Sequence, residues 1–115
     1  KINYTLQDLA KNGLVLDLDY FIIGEIKGGE ALYFLHAAYT GHQCWASVHG
    51  ISSTEAIDKL ADYVKYESNY TKEDILRMLR TMEVVVFMDE FKVKEISEVI
   101  GFDEETKRLV YRRVL

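Results

Sequence analysis

The spacing of apolar positions changes along the chain, and each change marks a new element. Leu6, Leu9, Ala10 and Leu14 form a short helical stripe that ends near Gly13. Thr5 and Asp8 stand ahead of it with the spacing of a capping box, in which a hydroxyl caps free amides and an acid sits in the first turn. Tyr20 to Ile23 is a continuous apolar run, the pattern of a strand buried on both faces and typically parallel. Ala31, Phe34, Leu35 and Ala38 recur at helical spacing between Glu30 and Tyr39, and Cys44 to Val48 fits a second short buried strand.

Ser52 and Glu55 repeat the capping signal before Ala56, Ile57, Leu60, Ala61 and Val64, which share one helix face. Thr71 and Asp74 do so again before Ile75, Leu76 and Leu79. The period then switches from helical to extended. Val84 to Met88, Phe91 to Ile100 and Arg108 to Val114 are rich in β-branched residues and separated by short acidic turns, which predicts an antiparallel meander. In its middle strand the apolar phase slips from Phe91 and Val93 to Ile96, and a bulge near Lys94 and Glu95 would absorb the slip. The expected fold is therefore α/β: one domain over residues 1–115, with an α/β part at 1–82 and a β-meander at 83–115.

Composition narrows the functions open to such a domain. The chain has 115 residues, 49% of them hydrophobic, enough for one core. The formal charge is −5, and basic residues gather only at Lys107, Arg108, Arg112 and Arg113, so no nucleic-acid surface is indicated. Cys44 stands alone and can form no internal disulfide, which fits a reducing cytosol. No apolar stretch approaches the length of a membrane span, and no secretory signal opens the chain. Lys1 is not an initiator residue, which suggests a processed chain or an excised piece.

The chemistry concentrates in FIIGEIKGGEA, residues 21–31. Ligands of open α/β sheets sit beyond the carboxyl ends of the strands. Glu25 lies at the end of one predicted strand, Glu30 just beyond it at a helix start, and His49 at the end of the next. If the strands are neighbours, two carboxylates and an imidazole meet on one rim, able to hold Mg²⁺ through its water shell, orient a water and sense a phosphate. Each residue also has a plainer reading. Glu25 can be a solvated strand end, Glu30 a carboxylate favoured at a helix N-terminus by about 0.3–1 kcal/mol, Lys27 a surface lysine and His49 an exposed ring. Only their combination points to a site.

GEIKGGEA followed by AAYTGHQCWASVHG resembles the Walker B segment and histidine box of the secretion ATPase superfamily, the hexameric motors of type II and type IV secretion, conjugation and pilus assembly. The matching positions are Glu25, Lys27, Gly28, Gly29 and Glu30, then Thr40, Gly41 and His42, then His49. Thr5 to Asn12 is similar to the helix before the Walker B strand, Ser53 to Val64 to the helix after the histidine box, and Lys92 to Leu115 to a terminal hairpin carrying K-x-I-x-E-V-x-G. The resemblance implies the C-terminal part of a RecA-like P-loop NTPase domain that uses ATP and Mg²⁺. It implies that Glu25 helps hold the ion, Glu30 polarises the attacking water and His49 reads the γ-phosphate. It also implies nucleotide contacts at Lys27, Gly28, Gly29, Thr40, Gly41 and His42. Lys27 departs from the usual arginine and lacks its planar fork. Ala46 and Ser47 replace the usual threonines, and Gly50 a usual alanine.

None of the seven glycines belongs to a G-x-x-x-x-G-K-S/T phosphate loop. The expectation is half an active site: a cytoplasmic, membrane-peripheral ATPase segment that works only within a self-assembled ring on an inner-membrane secretion or pilus platform. The alternative is an inactive module that docks on such a motor. Trp45 and Tyr39 are expected near the site, and Tyr63, Tyr66 and Tyr70 around the loop before Thr71, where some would line a subunit contact.

Overall fold

The computed structural model describes residues 3–14, 16 and 18–115; Lys1 lies outside the described residues. The elements run α1 (Leu6–Gly13), β1 (Tyr20–Ile23), α2 (Glu30–Tyr39), β2 (Gln43–Ala46), α3 (Ser53–Glu67), α4 (Lys72–Leu79), β3 (Val84–Asp89), β4 (Lys92–Asp103) and β5 (Arg108–Arg113). The fold is mixed α/β, with a parallel β1–β2 pair and an antiparallel β3–β4–β5 sheet.

Helix starts follow their caps. Thr5 Oγ1 accepts from the Asp8 amide while the Asp8 carboxylate accepts from the Thr5 amide, a complete capping box. Ser52 Oγ caps the Glu55 amide, but the Glu55 carboxylate reaches one residue further back, to the Ile51 amide at 2.9 Å. Thr71 caps α4 through the Asp74 amide.

The core lies where α2, α3 and α4 meet. Ile26, Leu35, Val64 and Ile75 are its largest fully enclosed side chains. The meander lays Val85, Val99, Leu109 and Tyr111 against this helical layer, and burial there, with Asp58 nearby, pushes the Tyr111 phenol up to about 12. Its other face shows Val84, Val86, Met88 and Val110 to solvent. The bulge falls at Lys94, since Phe87 pairs with Glu95 but Met88 with Val93. A second register shift, at Ile100, has no signal in the apolar phase because the strand simply runs on to Asp103.

Two expectations are corrected here. β1 is buried on one face only: Phe21 and Ile23 are enclosed, whereas Tyr20 is 57% and Ile22 66% exposed. β2 is no buried strand either, with Trp45 68% exposed. An apolar run reveals that both faces avoid water, but not whether both are covered within the same stretch of chain.

α4 is tied to the β4–β5 turn by charge. The Arg77 guanidinium donates to both carboxylate oxygens of Glu104, at 2.9 and 3.0 Å, while lying over the Phe102 ring. Hydrogen bonding from Arg77 lowers the Glu104 carboxyl, and backbone amides of the turn lower Asp103. Folded-state acidity of this kind stabilises above the ordinary carboxylate range and is lost as pH falls through it. Thermal stability should therefore drop below about pH 4, and Glu104→Gln should flatten that drop in melting curves taken across pH. Ile75→Ala, which empties a fully enclosed position, should cost about 2–5 kcal/mol in urea unfolding.

Candidate functional site

The site starts with parallel pairing: Tyr20 to Ile23 run in register with Gln43 to Ala46. Both strands therefore end on the same side. Pairing continues past them, because the Ile26 amide donates to the Ser47 carbonyl at 2.8 Å and Ser47 Oγ donates to the Gly24 carbonyl. Glu25 leaves one strand and His49 the other along these stitched exits.

Their side chains meet. His49 Nε2 lies 2.5 Å from Glu25 Oε1, and Lys27 Nζ lies 3.1 Å from Oε2. Each carboxylate oxygen thus has its own donor. The Glu25 side chain is 28% exposed, Lys27 74% and His49 88%, so the trio faces water. Ion pairs at that exposure contribute only about 0–1 kcal/mol. They do little for folding, but they hold an imidazole and an ammonium beside a carboxylate on an open rim.

Glu30 behaves differently. It is 6% exposed, and its Oε1 accepts from the amides of Lys27 at 2.5 Å and Gly28 at 3.2 Å. The carboxylate folds its own loop into the start of α2, where it also meets the favourable end of the helix dipole. Its other oxygen takes no hydrogen bond among the described residues, yet no buried side-chain oxygen is left unpartnered, so Oε2 keeps access to solvent. Gly29 is packed beneath this loop, where a β-carbon would strike Gln7 and Glu67, themselves hydrogen-bonded at 3.0 Å.

The Thr-Gly-His turn is not on this rim. Thr40, Gly41 and His42 precede β2, whereas His49 follows it, and a four-residue strand separates the two ends by about 13 Å. The turn closes α2: the Gly41 amide donates to Ala38 O and the His42 amide to Ala37 O, the double bond of a Schellman motif, with Gly41 at φ +100°. Thr40 Oγ1 donates to His36 O at 2.8 Å, and His42 Nδ1 sits 3.2 Å from Ala37 O. These groups are taken up by the cap, which explains the motif without a nucleotide.

Tyr39 is also far from the rim, at the opposite end of α2 from Glu30, where it lines a shallow hollow with Tyr70 and Arg77. Tyr70 meets His36 edge-on, with its hydroxyl 3.2 Å from Nε2. Tyr63 packs on the core edge, while Tyr66 and Trp45 point outward. Cys44 is half-buried, and burial pushes its thiol up, away from reactivity.

Sequence reasoning named Glu55 only as a capping residue and passed over Lys59. Lys59 Nζ donates to the His49 carbonyl at 2.9 Å and lies 3.7 Å from Glu55. Their i,i+4 spacing was visible, but such pairs are ordinary on helices. Among the described residues no three His, Cys, Asp or Glu side chains gather to hold a metal ion. Mg²⁺ keeps several waters and takes one or two carboxylates beside phosphate oxygens, and Glu25 is the carboxylate on this rim that could meet it through water.

The profile of the family described as type II/IV secretion system protein matches residues 1–89. An uncharacterized protein of Methanocaldococcus jannaschii is 28% identical over 115 residues, covering 96% of this chain and 41% of the relative. The chain thus spans about two-fifths of the length of that relative.

Because Gly41 needs a left-handed backbone, Gly41→Ala should destabilise the fold by about 1–2 kcal/mol in urea unfolding. It should leave the Glu25–His49 contact intact in NOE spectra, as expected of a cap at the far end of β2 from that contact.

Proposed function

The chain belongs to the type II/IV secretion system protein family, a family of secretion ATPases, and from that premise we propose that it carries the Walker B and histidine-box portion of a RecA-like motor domain. On this reading residues 1–82 are the α/β part of that domain and 83–115 its β-meander, and the phosphate loop comes from elsewhere in the parent protein. The working form is a ring of copies on a membrane platform that drives secretion, conjugation or pilus assembly from the cytoplasmic side. Among the described residues no helix is long and apolar enough to cross a membrane.

The observation that carries the reading is the meeting of Glu25 and His49 at the carboxyl ends of adjacent parallel strands. Uncovered apolar side chains on β1 and β2 support it as well, since Tyr20, Ile22 and Trp45 form the kind of sheet face that a further layer of a larger protein would cover. Bound magnesium supplies charge compensation for a phosphoryl group in transfer. The chain's own residues do the positioning. Glu25 presents a carboxylate to the ion's water shell. Lys27, which reaches Glu25 on a flexible stem, can turn its charge towards a phosphate. His49 trades its contact with Glu25 for one with a phosphate oxygen, and so reports that the phosphate is there. Glu30 keeps Oε1 on its loop amides and offers Oε2, the oxygen with solvent access, to the attacking water. Thr40, Gly41 and His42 have no part in this scheme.

Phosphoryl transfer needs groups from both halves of the site, so this chain alone should show no ATP turnover above background in a phosphate-release assay. The full-length parent protein should hydrolyse ATP with magnesium, and Glu30→Gln should lower its kcat about 100-fold or more. A Glu30→Gln parent that turns over normally would remove Glu30 from the chemistry.

A further inference from the structure

The imidazole of His49 is 88% exposed, and an exposed ring on a connecting loop would ordinarily wander among rotamers. Yet the backbone on which it sits is held in three places. The His49 carbonyl accepts from Lys59 Nζ at 2.9 Å. The Ile51 amide donates to Glu55 Oε2 at 2.9 Å. Between them Gly50 lies so close to α3 that a β-carbon would come within 2.8 Å of Ala56 Cβ and 3.0 Å of its Cα. Glu55 and Lys59 are in turn paired at 3.7 Å across the first helical turns. These contacts bind consecutive peptide groups, His49 to Ile51, to one rigid helix.

We propose that Glu55 and Lys59 are positioning residues that clamp the backbone of the His49 loop to the start of α3 and thereby set where the imidazole meets Glu25. The inference rests on the Glu25–His49 reading of the site and adds the device that orients it. Neither residue reaches the reacting atoms; each acts through the loop. The helix is the right anchor because a residue on a helix is held more closely than one on a loop. The choice of glycine at position 50 follows as well: only a residue without a β-carbon lets the loop lie flat on Ala56. Lys59 supplies a cation that reaches a carbonyl, and Glu55 an anion that reaches an amide, so the clamp grips both polarities of the backbone.

The test uses the chain as it stands and reads structure rather than turnover. In wild type, an NOE is expected between the His49 ring protons and the Glu25 side chain, together with slowed hydrogen exchange at the Ile51 amide. Lys59→Met should weaken that NOE at least about threefold and Glu55→Met, which removes the acceptor, should speed Ile51 exchange about tenfold, with thermal midpoints close to wild type. Lys59→Arg, which keeps a donor at the same reach, should restore the NOE. An undiminished NOE in both Lys59→Met and Glu55→Met overturns the clamp while leaving the site standing. A wild-type chain with no NOE, but with a slow Ile51 amide, refutes the site geometry itself and the clamp's purpose with it.

Discussion

Four residues of parallel strand pairing govern the rest of this structure. Tyr20 to Ile23 against Gln43 to Ala46 is a short ladder, and an isolated two-stranded sheet is marginal by itself. It persists because α2, which connects the two strands, is buried along Ala31, Leu35 and Ala37 against the other helices. Parallel order requires a crossover of this kind, and the crossover brings both strand exits to one side. Had the pair been antiparallel, Glu25 and His49 would lie at opposite ends. The chemistry of the rim is thus a consequence of connectivity before it is a consequence of any side chain.

Much of this was legible in the sequence. The three hydroxyl caps at Thr5, Ser52 and Thr71 marked helix starts because a cap is a local contest between side chain and water for free amides, settled within four residues. The bulge at Lys94 was legible because a one-residue slip moves apolar positions to the other face. Burial was not. Tyr20, Ile22 and Trp45 read as core and stand exposed, because coverage of a sheet face depends on partners far away in the chain. The second slip, at Ile100, left the pattern unmarked because Gly101 and Phe102 continue the strand.

The site was legible in part for the same reason. Residues at strand ends could be placed from the elements, so the encounter of Glu25 with His49 followed from order and direction. What each carboxylate does with its oxygens could not be read. Glu30 folds one oxygen onto its own loop, and the Thr40–His42 turn serves as a helix stop. Both are cases in which the backbone's need for partners outbids a side chain's apparent availability. Glu55 was legible as a capping residue but not as a partner of the His49 loop, and Lys59 escaped notice because its target, a carbonyl ten residues back, leaves no mark on the helix pattern.

β3 lies at one edge of the meander, with Val84, Val86 and Met88 turned to solvent and one row of peptide groups without a neighbouring strand among the described residues. An open apolar edge invites another molecule to add itself as the next strand. The chain's net charge of −5 acts against this, since like-charged molecules repel before their edges can align. Concentrated salt shortens the reach of that repulsion to a few ångströms. The colloidal behaviour of this small domain, its clarity or cloudiness in a given buffer, therefore depends in part on this uncovered strand.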